Sequence, residues 1–128
     1  MTLLKTLSFA TLALAFAAAP AISADASPVG TWQQTTGESR YQVAMCGDGT
    51  QLCATLVWLR EDARTAENLR YLNKTVVQAR PSAVNKWRGT VQYEGQAING
   101  SVTLVDGNTL KVNGCQFIAC QSFELKRV

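Results

Sequence analysis

The sequence predicts a mainly all-β fold: a seven- or eight-stranded antiparallel up-and-down β-barrel, or a curled sheet, with one short helix between strands three and four or five. Three observations predict it. Segments of alternating apolar and polar residues recur between turn signals at Thr36-Gly37, Gly49-Thr50, Glu94-Gly95 and Asp106-Gly107-Asn108. When those turns set the register, apolar residues on neighbouring strands face one another. The four cysteines form two local pairs, each compatible with such a register. A meander of this kind protects its edges by closing on itself.

The first residues are expected to lie outside the fold. "MTLLK" is a short basic start, "TLSFATLALAFAAA" an uncharged apolar run, and "PAISADA" offers small residues for cleavage after Ala24 or Ala26. Residues 1–24 therefore read as a signal peptide, too short and wrongly flanked for a membrane span. Residues 25–128 are then a single β-barrel domain, periplasmic or secreted, with no membrane span in the mature chain. Without Lys5, eleven basic residues stand against nine acids. So slight an excess argues against a nucleic-acid partner, which calls for a concentrated basic face. The locally basic segment from Arg60 to Arg88 reads as solvated surface.

The hairpins follow from turn chemistry. "VGTWQQTTGESRY" turns at Thr36-Gly37 and sets Trp32 opposite Tyr41 and Gly30 opposite Val43. "RYQVAMCGDGTQLCATLVWL", turning at Gly49-Thr50, sets Met45 opposite Ala54, Val43 opposite Leu56 and Tyr41 opposite Trp58. "RTAENLRYLNKTVV" breaks the pattern. With Thr65 as N-cap and apolar Ala66, Leu69, Leu72 and Val76, it predicts a helix at about 65–74, docked on Val57 and Leu59. A short strand at 75–79 and a connector at "RPSAVN" follow. "KWRGTVQYEGQAINGSVTLV" turns at Glu94-Gly95 and pairs Trp87 with Val102, Gly89 with Gly100, and Val91 with Ile98. A three-residue Asp-Gly-Asn loop keeps Leu104 facing Leu110, and the last hairpin sets Val112 opposite Phe123 and Lys111 opposite Glu124.

An exported chain meets an oxidising compartment, so the cysteines read as two disulfides. Four cysteines allow three connectivities, and the strand register selects Cys46–Cys53 and Cys115–Cys120. The first pair falls at a hydrogen-bonded site of an ideal hairpin, where Cβ atoms are less well placed, so a bulge or wider loop is expected there. Zinc sites favour closer cysteines and often histidine, which this chain lacks, and C-x-x-C redox spacing is absent.

Gly30-x-Trp32, with Arg127 on the inward parity of Phe123 and Leu125, resembles the opening motif and terminal arginine of lipocalin and calycin-like barrels. That resemblance implies that Trp32 and Arg127 form a barrel-closing pair. Over nearly the whole mature chain, "VGTWQQ", "CGDGTQLCATLVWL", "NKWRGTVQYEGQ", "TLKVNGC" and the terminal "KRV" resemble bacterial domain-of-unknown-function family 2147. The resemblance implies small exported proteins with no agreed biochemical activity and supplies no catalytic residues. Leu125 stands where members often have tryptophan, and a helix-like segment replaces their Asp/Asn/Pro-rich loop.

No enzyme is expected. Without histidine there is no ordinary Ser-His or Cys-His pair. Glu38, Asp48, Glu94 and Asp106 sit in turns, and Glu61, Asp62 and Glu67 surround the helix start. The expectation is therefore no catalytic residue, no metal site and no cofactor. Tyr41, Trp58, Trp87, Gly89, Gly100 and Phe123 are the candidate interior or ligand-lining residues. Because the inward set is so rich in large side chains, a filled core is expected over a cavity, with a local gap or a bend at Gly89 and Gly100. The preferred function is a non-enzymatic binder of a small apolar ligand or envelope component. The alternative is a protein-interaction module, such as a periplasmic protease inhibitor using its "DASP" arm, or an envelope structural or stress protein.

Overall fold

The structure, a computed structural model, describes residues 26–128; the proposed signal peptide and its cleavage sites up to residue 25 lie outside them, and Ala26 is the first described residue. Eight strands form a closed antiparallel barrel in sequence order. They are β1 (Gly30–Gln34), β2 (Ser39–Cys46), β3 (Gln51–Leu59), β4 (Thr75–Ala83), β5 (Lys86–Tyr93), β6 (Gln96–Asp106), β7 (Thr109–Gln116) and β8 (Ala119–Arg127). Closure comes from β1 pairing with β8, which sets Trp32 opposite Arg127.

Four hairpins adopt the register that the turns predict. Trp32 faces Tyr41, Trp87 faces Val102, Leu104 faces Leu110, and Val112 faces Phe123. At the β5–β6 turn, Glu94 and Gly95 both have positive φ, 48° and 78°, as a tight hairpin turn requires. The β6–β7 connection differs in detail. The odd residue is a bulge at Val105, and Gly107-Asn108 alone make the turn, with Asp106 Oδ1 accepting from the Asn108 N–H at 2.8 Å. Glu124 faces Lys111 as expected but forms its ion pair with Lys126 on its own strand, at 3.0 Å.

The β2–β3 hairpin departs from expectation by two residues. Met45 faces Leu52, Val43 faces Ala54, and Tyr41 faces Leu56. The cause is a four-residue loop, Gly47 to Thr50, in which Asp48 Oδ1 accepts from both the backbone N–H and the hydroxyl of Thr50. A slip of two preserves which face each side chain takes, so apolar patterning does not distinguish the two registers. Farther along, the register shifts between Arg40 and Tyr41, leaving Val57 as the extra residue of a bulge. Inside and outside exchange beyond it: Leu59 is buried, whereas Trp58 faces Arg40 on the outer surface.

The helix is shorter than expected. The side chain of Thr65 caps it by accepting from the Asn68 N–H, but α1 spans only Ala66–Leu69. Three-residue turns follow, ending at Asn73 in the left-handed region with φ 63°, whose N–H donates to the Leu56 carbonyl. Leu59 is buried in the core, and the segment, which begins with a 3-10 turn at Glu61–Ala63, leaves Val57 exposed. It crosses the end of the barrel, packing Ala63, Tyr71 and Leu72 against the core. Strand β4 runs on through Ala83, absorbing most of the expected connector.

The core fills the opposite end. Trp32 is 0% exposed, and Val43, Leu52, Val102, Leu104 and Leu110 are fully buried near it. The Arg127 guanidinium lies 4.3 Å from the centroid of the Trp32 ring. It also donates to the carbonyl oxygens of Val29 (2.8 Å), Ser27 (2.6 Å) and Gly107 (2.9 Å). Trp32 Nε1 donates to the Pro28 carbonyl at 2.8 Å. Ser27 and Pro28 of the supposed arm, with Val29 after them, are thus tied beneath the barrel floor. A Cβ on Gly30 would lie 2.5 Å from Arg127 Nη1. The glycine of G-x-W makes room for the arginine.

Candidate functional site

The end covered by α1 holds a cavity of about 400 Å³, within the roughly 300–1,000 Å³ usual for small-molecule sites. So the expected filled core is found at one end only. The strands place inward residues here as alternation dictates: Leu56 from β3, Val91 from β5, Val112 from β7, and Phe123 and Leu125 from β8. Tyr93 and Phe123 form a tilted aromatic pair with centroids 6.0 Å apart. The bulged end of β3 contributes Leu59, and the crossing segment contributes Ala63, Asn68 and Tyr71.

A hydrogen-bonded polar chain interrupts this lining, in addition to the amides of Asn68 and Gln92. Ser39 Oγ lies 2.9 Å from Gln34 Oε1 and 3.0 Å from the Tyr41 hydroxyl. The amide oxygen can only accept, so Ser39 gives it its single proton, and Tyr41 must donate to Ser39. The Tyr41 oxygen is left with lone pairs for anything in the cavity. Burial pushes the Tyr41 phenol above its usual pKa of 10.0. Around the mouth stand the exposed side chains of Glu38, Glu67 and Glu94, and among the described residues no lysine or arginine joins the lining. Arg60, just before the crossing segment, is held by Asp62 at 2.6 Å and the Thr36 carbonyl at 3.1 Å.

The candidate residues divide clearly. Tyr41 and Phe123 line the cavity. Trp87 is buried in the floor beside Val102 and Pro81, away from it. Trp58 is a correction: the bulge at Val57 turns it outward, where the Arg40 guanidinium lies over its ring at 4.6 Å. Gly89 and Gly100 do not line this cavity; Gly89 borders a separate shallow groove with Gln51, Gln78, Arg80 and Arg88. A Cβ on Gly89 would sit 2.1 Å from the Gln78 carbonyl oxygen, and one on Gly100 2.6 Å from that of Asn113. These glycines permit close strand approach. Sequence reasoning missed Ser39, Gln34, Tyr71 and the glutamate rim; only the polar start of β2, "ESRY", hinted at them.

Cys46–Cys53 and Cys115–Cys120 are both disulfides, with Cα separations of 6.0 and 4.1 Å. The first joins a diagonal pair, because Cys53 faces Ala44 and Cys46 faces Gln51. The second joins direct partners. Among the described residues no group of three or more histidine, cysteine, aspartate or glutamate side chains is placed to hold a metal ion, and no helix is long and apolar enough to cross a membrane.

Comparison with known families matches residues 30–127 to a family described as uncharacterized protein conserved in bacteria, DUF2147. The chain belongs to this family. The match begins at the Gly30 that accommodates Arg127 and ends at Arg127 itself, so it spans the closed barrel of this DUF2147 member. No curated protein matches it. Among solved structures, a redesigned β-barrel is similar at 12% identity and a TM-score of 0.50, covering 78% of this chain and 90% of that one. That likeness concerns the fold alone.

Proposed function

We propose that this DUF2147 member is an exported, non-enzymatic binding protein that holds a small, largely apolar ligand in the open end of its barrel. The observation that carries the reading is the cavity of about 400 Å³, walled by aromatic and aliphatic side chains around one oriented hydroxyl chain. Few convergent polar groups in an apolar concavity are what small-molecule sites share. Export is supported by two local disulfides, which persist in oxidising compartments. The non-catalytic reading is supported by the absence of histidine and by the structural work of the aspartates: Asp48 holds Thr50, Asp62 holds Arg60, and Asp106 holds Asn108.

A neutral fluorescent apolar dye, titrated into the oxidised protein, tests the reading. One dye per chain should bind, and octanol should displace it. Ala54→Phe and Val112→Phe each add bulk to the cavity wall and should weaken binding while retaining the fold by circular dichroism. Absence of binding, or equal binding by both folded variants, would refute it. One feature favours the protein-interaction alternative. Phe117 and Ile118, 97% and 100% exposed, form the tip of the hairpin closed by Cys115–Cys120.

A further inference from the structure

We infer that the cavity selects ligands carrying a positively charged hydrogen-bond donor, an aliphatic or aromatic amine in chemical class, and disfavours fatty acids and other anions. This rests on the reading of the cavity as a ligand site and concerns only which head group enters it. Three features of the lining lead to it. The carboxyl side chains there are Glu38, Glu67 and Glu94, all at the mouth, and among the described residues no lysine or arginine accompanies them. The aromatic rings of Tyr41, Tyr71, Tyr93 and Phe123 line the same space, and aromatic faces attract cations. The third feature is proton accounting. Because Ser39 spends its proton on Gln34 Oε1 and Tyr41 spends its own on Ser39, the Tyr41 oxygen offers acceptance only. An ammonium N–H satisfies it; a carboxylate, which can only accept, does not.

The basic residues in and just before the crossing segment do not reverse this preference. Arg60 is engaged by Asp62 and the Thr36 carbonyl. Arg64, Arg70 and Lys74 are exposed and outside the lining. The carboxylates at the mouth are exposed too, so each adds a modest, salt-screened attraction. Their sum, with the desolvated contacts deeper in, should separate cation from anion by about tenfold or more at low ionic strength.

Four probes sharing an eight-carbon chain isolate the head group: octylamine, octyltrimethylammonium, octanol and octanoate, each titrated against the full oxidised protein by calorimetry near neutral pH. Octylamine should bind most tightly and octanoate most weakly. Replacing Glu38→Gln, Glu67→Gln and Glu94→Gln together should shrink the amine-to-octanoate ratio severalfold, and an unchanged ratio in the folded variant would overturn the inference. Tyr41→Phe should weaken octylamine more than octyltrimethylammonium, which has no N–H to donate. If octanoate binds as tightly as octylamine while octanol also binds, the head-group inference is overturned and the cavity reading stands. If none of the four binds, both fall.

Discussion

Replacing Gly30 with alanine should destabilise the barrel for two separable reasons. The residue has φ 144°, a backbone conformation that side-chain-bearing L-residues rarely adopt, and that strain costs about 1–3 kcal/mol whatever surrounds it. The new Cβ would also lie 2.5 Å from Arg127 Nη1. The guanidinium must then leave its position over Trp32 and give up bonds to the carbonyls of Ser27, Val29 and Gly107. Stacking and charge-assisted bonds of this kind total about 2–4 kcal/mol, and the partial exposure of Arg127 argues for the lower half. Gly30→Ala alone should therefore cost roughly 3–5 kcal/mol and Arg127→Ala roughly 2–3 kcal/mol. In the double variant the overlap has no partner, so only the strain remains in addition to the lost arginine. The combined cost should fall short of the sum by about 2–3 kcal/mol. Urea unfolding followed by tryptophan fluorescence measures all four corners of the cycle, provided the m-values agree. Costs that add within about 0.5 kcal/mol would show that the missing side chain of Gly30 has nothing to do with seating Arg127.

Three further predictions follow from the same geometry. Removing either disulfide by paired Cys→Ser substitution should lower stability by about 2–2.5 kcal/mol on the chain-entropy account, and non-reducing peptide mapping should find only Cys46–Cys53 and Cys115–Cys120. Gly89→Ala, with its Cβ 2.1 Å from the Gln78 carbonyl oxygen, should cost at least about 2–3 kcal/mol in urea unfolding. Gly107→Ala, which meets nothing within 4 Å, should stay within about 0.5 kcal/mol of wild type; equal costs would refute the close-approach argument. Because burial raises the Tyr41 pKa above 10.0 in the fold, the unfolded chain loses that proton first as pH rises, and stability falls once pH passes the unfolded value. Tyr41→Phe should flatten the decline between about pH 9 and pH 11 relative to wild type; identical slopes would contradict the buried placement of the hydroxyl.

Local chemistry was legible in the sequence wherever a turn stood between the strands it joined. Thr36-Gly37, Glu94-Gly95 and the cysteine-closed "CQFIAC" set their registers within a few residues, and apolar matching across each hairpin left little freedom. The G-x-W start and Arg127 were legible too, although only closure of β1 on β8 brings them together across 95 positions. What the sequence did not determine has two physical origins. A slip of two at the Gly47–Thr50 loop keeps every face unchanged, and a single-residue bulge at Val57 exchanges faces without any compositional mark. The bulge alone displaced Trp58 from the interior and brought Leu59 in. The cavity is wholly a tertiary outcome. Its volume is the space left after Trp32, Trp87 and their neighbours fill one end, while the segment from Glu61 to Lys74 bridges the other. Composition specifies how much apolar volume a chain carries, but where that volume meets is decided by strand stagger and by the path of the crossing segment.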